Sequence, residues 1–430
     1  MEKRTPFQPV FWVANFLELL ERFAYYGIYM GFGIYMNHLG YSRGELGIIQ
    51  TIFLIFSYTV PLISGTFADK YGFKKVLIVS YLAYIPSILL LIFTKSFSGI
   101  ALTMLSIGLA AGIFKPLISG TVRAITDGSN KTIGFGIFYA MVNVGASIGP
   151  LVMGKLRAIS WNYAFIAAAI TIGVALLVTI LFYKEPEREN KEVSLKDKMR
   201  DIKTVLSDRK FSVFLVLLGV FFWCPFWSFF NLCAIFIDEN LDTAALYSNV
   251  SALPLIGTWL ANFLSEVGED GTRKLLGETI SHTGYFIMIF QLFVSRVSEK
   301  FDGMKTFLFG LLIAAAGFVI IGAAAYTAPV IVILGIGIFA LGEMIASPRI
   351  QEYITWIAPK EKAGLYMGTN FLSTGIGAAV GDLVYTPLSG YYVNIGNPEY
   401  IWFILAVHLI VGIGAIKLFI HKMGEFKELE

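Results

Sequence analysis

Charged side chains are scarce in this chain of 430 residues. Asp, Glu, Lys and Arg make up 15% of the sequence, whereas roughly 25% is usual in a soluble domain. Hydrophobic residues reach 56%, which leaves too little charge to cover the surface of a water-soluble protein. The formal net charge is only +3, and the basic residues cluster in particular loops, so we expect no nucleic-acid partner.

Cysteine is also nearly absent. Only Cys224 and Cys233 occur, both within one apolar stretch, and they lack the spacing of a metal site or of a disulfide framework. We therefore expect neither a metal ion nor a cofactor.

Long apolar runs are abundant instead. A helix of about 20 apolar residues crosses the roughly 30 Å of hydrocarbon in a bilayer, and such runs recur along the whole chain. The lipid bilayer is therefore the expected surrounding of an all-α integral membrane fold. The sequence predicts twelve transmembrane helices, near 11–36, 46–67, 75–94, 99–122, 134–154, 161–183, 211–236, 281–297, 304–326, 329–349, 364–388 and 399–420.

The loops predict how the chain is divided and oriented. Segment 184–210 holds nine Lys or Arg, as expected of a cytoplasmic linker, and 193–206 has the character of an amphipathic surface helix. The linker at 184–210 separates a six-helix bundle at 1–183 from a second at 211–430, which carries an external loop at 238–282. The distribution of Lys and Arg predicts that both termini are cytoplasmic, in the cell inner (cytoplasmic) membrane. We expect a monomer.

The loop after the second helix carries a motif. Its sequence GTFADKYGFKK at 65–75 matches the signature GxxxDKxGxKK of the major facilitator superfamily at every defined position. The resemblance implies two six-helix bundles related as parallel repeats, with a degenerate second copy of the motif at 295–305. It also implies that Gly65, Asp69, Lys70 and Gly72 form a latch between helices. The alternative is an ordinary charged cytoplasmic loop.

The first helix contains charges about halfway across the bilayer. Glu18, Glu21 and Arg22 would each cost roughly 2.5–3.5 kcal/mol if they faced lipid, so we expect them to face the protein interior. Glu18, Arg22, Tyr25 and Tyr29 recur on one helical face and form a polar stripe. A Glu18–Arg22 pair that only neutralises itself is the alternative.

Further ionisable groups lie in other apolar helices. Lys115 stands beside Pro116 in the fourth helix, and Glu343 lies in the tenth; isolated charges of this kind are candidate functional groups. An ion pair between distant helices that locks a closed state is the alternative. Asp382 lies near the outer end of the eleventh helix, where we expect it to be exposed.

The buried charges do not balance. Three acids (Glu18, Glu21, Glu343) and two bases (Arg22, Lys115) leave one negative charge, which one bound proton would cancel. Because coupled carboxyl groups can share a proton, the sequence does not identify its carrier.

The sequence ELLERFAYY at 18–26 resembles the ExxERFxYY signature of the proton-dependent oligopeptide transporter family. FGIFYAMVNVGA at 135–146, GIFKP at 112–116 and GEM at 342–344 are similar to other motifs of that family. The resemblance implies that protons are the coupling ion and that small peptides are the substrate. It assigns proton coupling to Glu18, Glu21, Arg22, Lys115 and Glu343. Together with the polar stripe, it predicts a substrate site of Arg22, Tyr25, Tyr26, Tyr29, Tyr58, Lys115, Asn143, Trp223 and Glu343, with Glu343 at the amino group of the peptide.

Four positions depart from the family pattern. One is Ser147, which replaces the usual large aliphatic residue after the motif at 135–146. Tyr29 and Trp227 stand where members of the family often have an arginine and an acid that pair, and Thr283 stands where we expect an asparagine. The joint loss of both charges indicates a change in outer gating or in proton coupling.

The sequence favours a proton-coupled symporter that imports di- and tripeptides by alternating access. A transporter of another solute is the alternative, including an exporter of drugs or organic ions or an uncoupled facilitator. A membrane enzyme or a sensor would need a nucleophile constellation or a sizeable cytosolic domain, so we expect no enzymatic activity.

Overall fold

The computed structural model describes residues 5–127, 130–186, 195–268, 271–298, 300–357 and 363–426. Nearly all of this is helical, and nine helices in the described ranges are long and apolar enough to cross a membrane. The fold is that of an all-α integral membrane protein, as predicted. The predicted count of twelve spanning helices is not fully confirmed, because α1, α14 and α17 are not among these nine.

The helices agree with the predicted spans to within a few residues at most ends. The first seven are α1 (Pro9–His38), α2 (Arg43–Thr59), α3 (Pro61–Tyr71), α4 (Phe73–Phe93), α5 (Phe97–Ile125), α6 (Lys131–Ile159) and α7 (Trp161–Phe182). The predicted surface helix is α8 (Leu195–Leu206). The seventh predicted span is α9 (Arg209–Leu218), a π-helical turn (Gly219–Trp223) and α10 (Cys224–Asn240).

The predicted external loop has secondary structure of its own. It comprises α11 (Thr243–Ser251), α12 (Gly257–Leu264), the antiparallel strands β1 (Ser265–Val267) and β2 (Arg273–Leu275), and α13 (Gly277–Ile280). The last spans are α14 (Gly284–Ser298), α15 (Gly303–Ala323) with a 3₁₀ turn (Ala324–Tyr326), α16 (Ile331–Trp356), α17 (Ala363–Asn394) and α18 (Tyr400–Met423).

Contacts divide the chain into two compact units. The first contains the chain up to Tyr29 and Ile52–Thr204, and the second contains Met30–Thr51 and the chain from Val205 onward. The second half of α1 and the first half of α2 are thus grouped with the later helices. The predicted boundaries at 183 and 210 follow the sequence repeat instead and stay a prediction.

Pairs of glycines four residues apart allow helices to approach closely within each unit, because a helix without Cβ atoms there can touch its neighbour's backbone. In the first unit, Gly145 and Gly149 of α6 meet the Leu19 and Phe23 carbonyls of α1. Residues 145–149 of α6 therefore pack against the turn of α1 that carries Arg22. In the second unit, Gly377 of α17 lies against α10 in the same way.

Prolines interrupt the backbone hydrogen bonds of α5 and α16, which are the fourth helices of the two predicted bundles. Pro116 has no N–H to donate to the Gly112 carbonyl, and the Ser64 hydroxyl donates to that carbonyl instead at 3.3 Å. Pro348 likewise frees the Met344 carbonyl, which accepts from the Gln291 amide at 3.3 Å. Both freed carbonyls are thus satisfied by a side chain of a neighbouring helix, the usual remedy for a proline within a membrane helix.

Candidate functional site

The charged residues of α1 form one buried cluster in the first unit. The Arg22 guanidinium lies 3.1 Å from Glu18 and 2.6 Å from Glu21. Tyr84 of α4 donates a hydrogen bond of 3.5 Å to Glu21. Glu18, Glu21 and Arg22 are at most 6% exposed. One guanidinium thus faces two carboxylates, which a self-neutralising pair of Glu18 and Arg22 does not account for.

Lys115 adds a second cation to this cluster. Its ammonium donates to the Ser57 hydroxyl at 2.7 Å and lies 3.6 Å from the centre of the Tyr58 ring. The Tyr25 ring is approached by both cations, at 4.9 Å from the Lys115 nitrogen and 5.2 Å from the Arg22 carbon. Aromatic faces and a hydroxyl, which are weaker partners than a carboxylate, hold the lysine charge.

The break in the second predicted helix brings the lysine's partners to it. Pro61 begins α3 and cannot donate to the Ser57 carbonyl, so the helix is interrupted between Thr59 and Pro61. Ser57 and Tyr58 occupy the last turn before this break. Lys115 directly precedes Pro116 on α5, so a proline lies close to each partner in the contact between Lys115 and Ser57.

The other predicted substrate residues of the first unit lie on α1 and α6. Tyr26 meets Tyr25 edge-on at 5.1 Å between ring centres, and Tyr29 stacks on Phe53 at 5.6 Å. Asn143 on α6 is buried and donates to its own helix at the Tyr139 carbonyl, 2.9 Å away.

Two predicted site residues belong to the second unit. Glu343 lies on α16, and the Thr283 hydroxyl forms a hydrogen bond with its carboxyl group. Trp223 ends the π-helical turn, where the Val220 carbonyl accepts a hydrogen bond of 2.9 Å from His408. Such π turns are frequent at functional sites. Thr283, which stands where the family pattern has an asparagine, is thus a hydrogen-bond partner of Glu343.

The structure contradicts one expectation. Asp382 is fully buried rather than exposed. The Asn231 amide of α10 donates to one of its carboxylate oxygens, and the Asp382 carbonyl is in contact with Gly47 of α2. Helical position alone places Asp382 near the end of a span, but it does not reveal that two other helices cover it.

The predicted latch loop runs from Gly65 on α3 to the start of α4. Gly72 has a φ of 98°, a left-handed conformation that favours glycine. The Lys70 ammonium lies 5.2 Å from the Tyr71 ring. The side chain of Asp69 lies outside the described part of the structure.

A residue from the linker caps the helix that follows this loop. The Glu185 carboxylate accepts from the Phe73 and Lys74 backbone N–H groups at 2.7 and 2.8 Å. It therefore satisfies two N–H groups that the helix itself leaves without partners, and its charge favours a helix N-terminus. Sequence reasoning missed this residue because the cap comes from more than 100 positions away.

Replacing Glu185 with alanine is expected to lower the free energy of unfolding by about 0.5–1 kcal/mol, because the cap of α4 is lost. Thermal unfolding of purified protein in detergent checks this. Glu425→Ala, which removes an exposed carboxylate near the end of the chain, is the control and should leave the midpoint unchanged. An equal midpoint for Glu185→Ala would contradict the capping role.

The family follows from comparison with known proteins. The model of the Major Facilitator Superfamily matches residues 11–277, which is more than half of the chain. The chain belongs to the Major Facilitator Superfamily. This confirms the resemblance of the loop at 65–75 and makes the protein a transporter by family and fold.

Relatives and solved structures of this superfamily point to different solutes. A Na(+), Li(+), K(+)/H(+) antiporter of Planococcus maritimus is 22% identical over 80% of this chain and 81% of its own length. Multidrug resistance protein 1 of Bacillus subtilis is 24% identical over 88% of each chain. A POT family transporter in complex with 5-aminolevulinic acid has a TM-score of 0.75 at 20% identity, covering 96% of both chains. Another, in complex with a thioalcohol conjugated peptide, has a TM-score of 0.74, again at 20% identity.

Proposed function

We propose that the chain is a proton-coupled symporter that imports di- and tripeptides by alternating access. The observation that carries the proposal is the cluster of Glu18, Glu21 and Arg22 beside Lys115. Two carboxylates and two cations lie around Tyr25, and within the described part of the chain the lysine contacts hydroxyl and aromatic groups. Such a lysine is open to a carboxylate partner, either of the protein or of a substrate.

The proton enters through the balance of charge. Burying an unpaired charge in the membrane is costly. The charges of Glu18 and Glu21 are balanced by those of Arg22 and Lys115, and Glu343 adds one further negative charge. A zwitterionic peptide adds one negative and one positive charge, so the occupied site would still carry one unbalanced negative charge. Once Lys115 binds the peptide carboxylate it would stabilise an ionised carboxylate of α1 less, and proton uptake by that carboxyl group would couple the entry of a proton to the entry of the peptide.

Glu343 is the predicted partner of the peptide's amino group. Its carboxyl group lies in the second unit with a hydrogen bond from Thr283, and one of its oxygens is buried with no partner among the described residues. A peptide ammonium group is a suitable donor for that oxygen. The fold match to transporters whose titles name 5-aminolevulinic acid and a conjugated peptide supports a substrate with an amino group and a carboxylate.

Glu343→Gln is expected to weaken binding of dipeptides by about 10- to 100-fold, because a charge-assisted hydrogen bond is replaced by a neutral one. The measurement is counterflow of labelled peptide, in which unlabelled alanylalanine and its N-acetylated form are compared as competitors. The acetylated peptide, which has no ammonium group, should compete equally weakly with the wild type and the variant. Unchanged competition by free alanylalanine would contradict the assignment.

An exporter of drugs or organic ions is the second candidate. It is favoured by the similarity to a multidrug resistance protein and to a cation/H(+) antiporter over most of the chain. Tyr29 and Trp227, which are both buried, stand where peptide transporters often have a charge pair. Such an antiporter would couple proton entry to the exit of its solute.

Counterflow separates the two candidates. Proteoliposomes are loaded with unlabelled alanylalanine, and entry of labelled peptide is measured at equal pH on both sides. A peptide transporter exchanges the label, and an excess of tripeptide suppresses the exchange. Absence of exchange in folded protein, together with exchange of a labelled drug such as a quinolone, would favour the exporter.

A further inference from the structure

Asp382 is a buried acid that the proposed mechanism does not use. It lies on α17 and is 0% exposed. The Asn231 amide of α10 donates to one oxygen, whereas the other oxygen is buried with no partner among the described residues. Within the described part of the chain, Asp382 forms no ion pair.

The surroundings of Asp382 contain a segment that belongs elsewhere by chain order. Residues 30–51, the end of α1 and the beginning of α2, are grouped by contact with the second unit. Gly47 lets the backbone of α2 touch the Asp382 carbonyl, and Gly33 places α1 beside the Asn231 carbonyl. Further toward the α1–α2 loop, Arg43 forms an ion pair of 2.7 Å with Glu239.

These contacts have the properties of a gate. The segment 30–51 is part of the first six helices in sequence, and it closes over α10 and α17 of the last six. Rocking of two bundles in alternating access requires such contacts to break and form again. On the predicted orientation, with cytoplasmic termini, the α1–α2 loop is external and the gate is the outer one.

The other titratable groups of this region leave Asp382 without a counter-charge. Arg43 and Glu239 bind each other. Tyr385 on α17 contacts His408 of α18, Cys224 lies on α10, and α1 contributes Tyr35 and His38. An ionised carboxylate buried without a cation is costly in a membrane, whereas a neutral carboxyl group is not.

We propose that Asp382, held by Asn231, is a proton-binding site of the outer gate that must be protonated for the gate to close. When the gate opens, water reaches the carboxyl group, which then exchanges its proton with the outside. Protonation converts the carboxylate to a neutral carboxyl group, and α2 closes over it. The inference rests on the proposed proton coupling.

The test measures gate opening without any substrate. Spin labels are placed at the exposed positions Asn37 and Asn394 in a protein whose Cys224 and Cys233 are replaced by alanine. Distances between the labels are measured by electron double resonance across about pH 5 to 9. The wild type should change from the short, closed distance at acid pH to a longer one at alkaline pH.

The variants separate the buried acid from the rim of the gate. Asp382→Asn, a neutral side chain of equal size, should keep the short distance at every pH. Glu239→Gln is the matched control: loss of the Arg43 ion pair should increase the open fraction at all pH values but keep the pH dependence. Asn231→Leu should retain the transition and move its midpoint upward by about one pH unit, because one donor to the carboxylate is lost.

Wild-type behaviour of Asp382→Asn, or a wild-type distance that ignores pH, would overturn the proposal. If Asp382→Asn fails to fold by size-exclusion chromatography, the midpoint of Asn231→Leu decides: an unshifted midpoint overturns it. Failure of the proposed peptide transport can be distinguished from failure of the proposed gate site. A pH-dependent gate that is lost in Asp382→Asn supports the site whatever the solute.

Discussion

Replacement of Lys115 by alanine is expected to reduce proton-driven accumulation of peptide by about 100-fold or more, to the level of empty liposomes. The ammonium group lies between Ser57 and the Tyr58 ring and shares Tyr25 with Arg22. Its removal takes away the proposed partner of the peptide carboxylate. It also leaves Glu18 and Glu21 with a single buried cation, so the charge that couples proton to peptide is changed.

The control for Lys115 is another lysine of the first unit. Lys95 follows α4 and donates to the Leu91 carbonyl at 3.3 Å, away from the α1 cluster in the chain. Lys95→Ala should accumulate peptide as the wild type does. Initial uptake under an inward proton gradient is compared at equal protein content. Full accumulation by Lys115→Ala would exclude this lysine from both coupling and binding.

Glu21→Gln is expected to abolish accumulation while counterflow stays within about two-fold of the wild type. Glutamine keeps the size of the side chain and can still accept from Tyr84, which lies 3.5 Å from Glu21. It cannot take up or release a proton. Exchange at equal pH needs no net proton movement, so substrate binding and the rocking of the bundles should continue.

The comparison between the two assays makes this prediction specific. A merely structural role of Glu21 would reduce accumulation and counterflow together. Glu45→Gln, at the beginning of α2 where the carboxylate binds Ser42 at 2.8 Å, is a matched substitution outside the cluster and should leave the ratio of the two rates unchanged. Retained accumulation in Glu21→Gln would assign the proton to another acid, with Glu18 the next to replace.

Much of the fold could be predicted because the bilayer constrains it. Most helix ends lie within a few residues of those expected, since uninterrupted apolar runs have few alternatives to a helix in a membrane. The partners of the cluster were harder to find. Spacing placed Glu18 and Arg22 on one face, but the contacts of Lys115 with Ser57 and Tyr58 depend on packing between helices. A serine and a tyrosine before Pro61 were the available signal.

The features that the sequence did not reveal depend on long-range contacts. Glu185 caps α4 from a different loop, and in the sequence it is one of many charged residues in the linker at 184–210. The position of Asp382 along α17 predicts exposure, whereas residues of two other helices, Gly47 and Asn231, lie against it. The grouping of residues 30–51 with the second unit likewise has no local sequence signature. Glycines at 33 and 47 become informative only when the opposing helix is known.

Uptake of labelled alanylalanine into proteoliposomes under an inward proton gradient tests the central claim most directly. The account predicts accumulation above the equilibrium level, its loss when an uncoupler is added, and its suppression by unlabelled di- and tripeptides. Protein-free liposomes and the Lys115→Ala variant are the controls. Folded wild-type protein that fails to accumulate peptide, or that does so equally with the uncoupler present, would contradict proton-coupled peptide import.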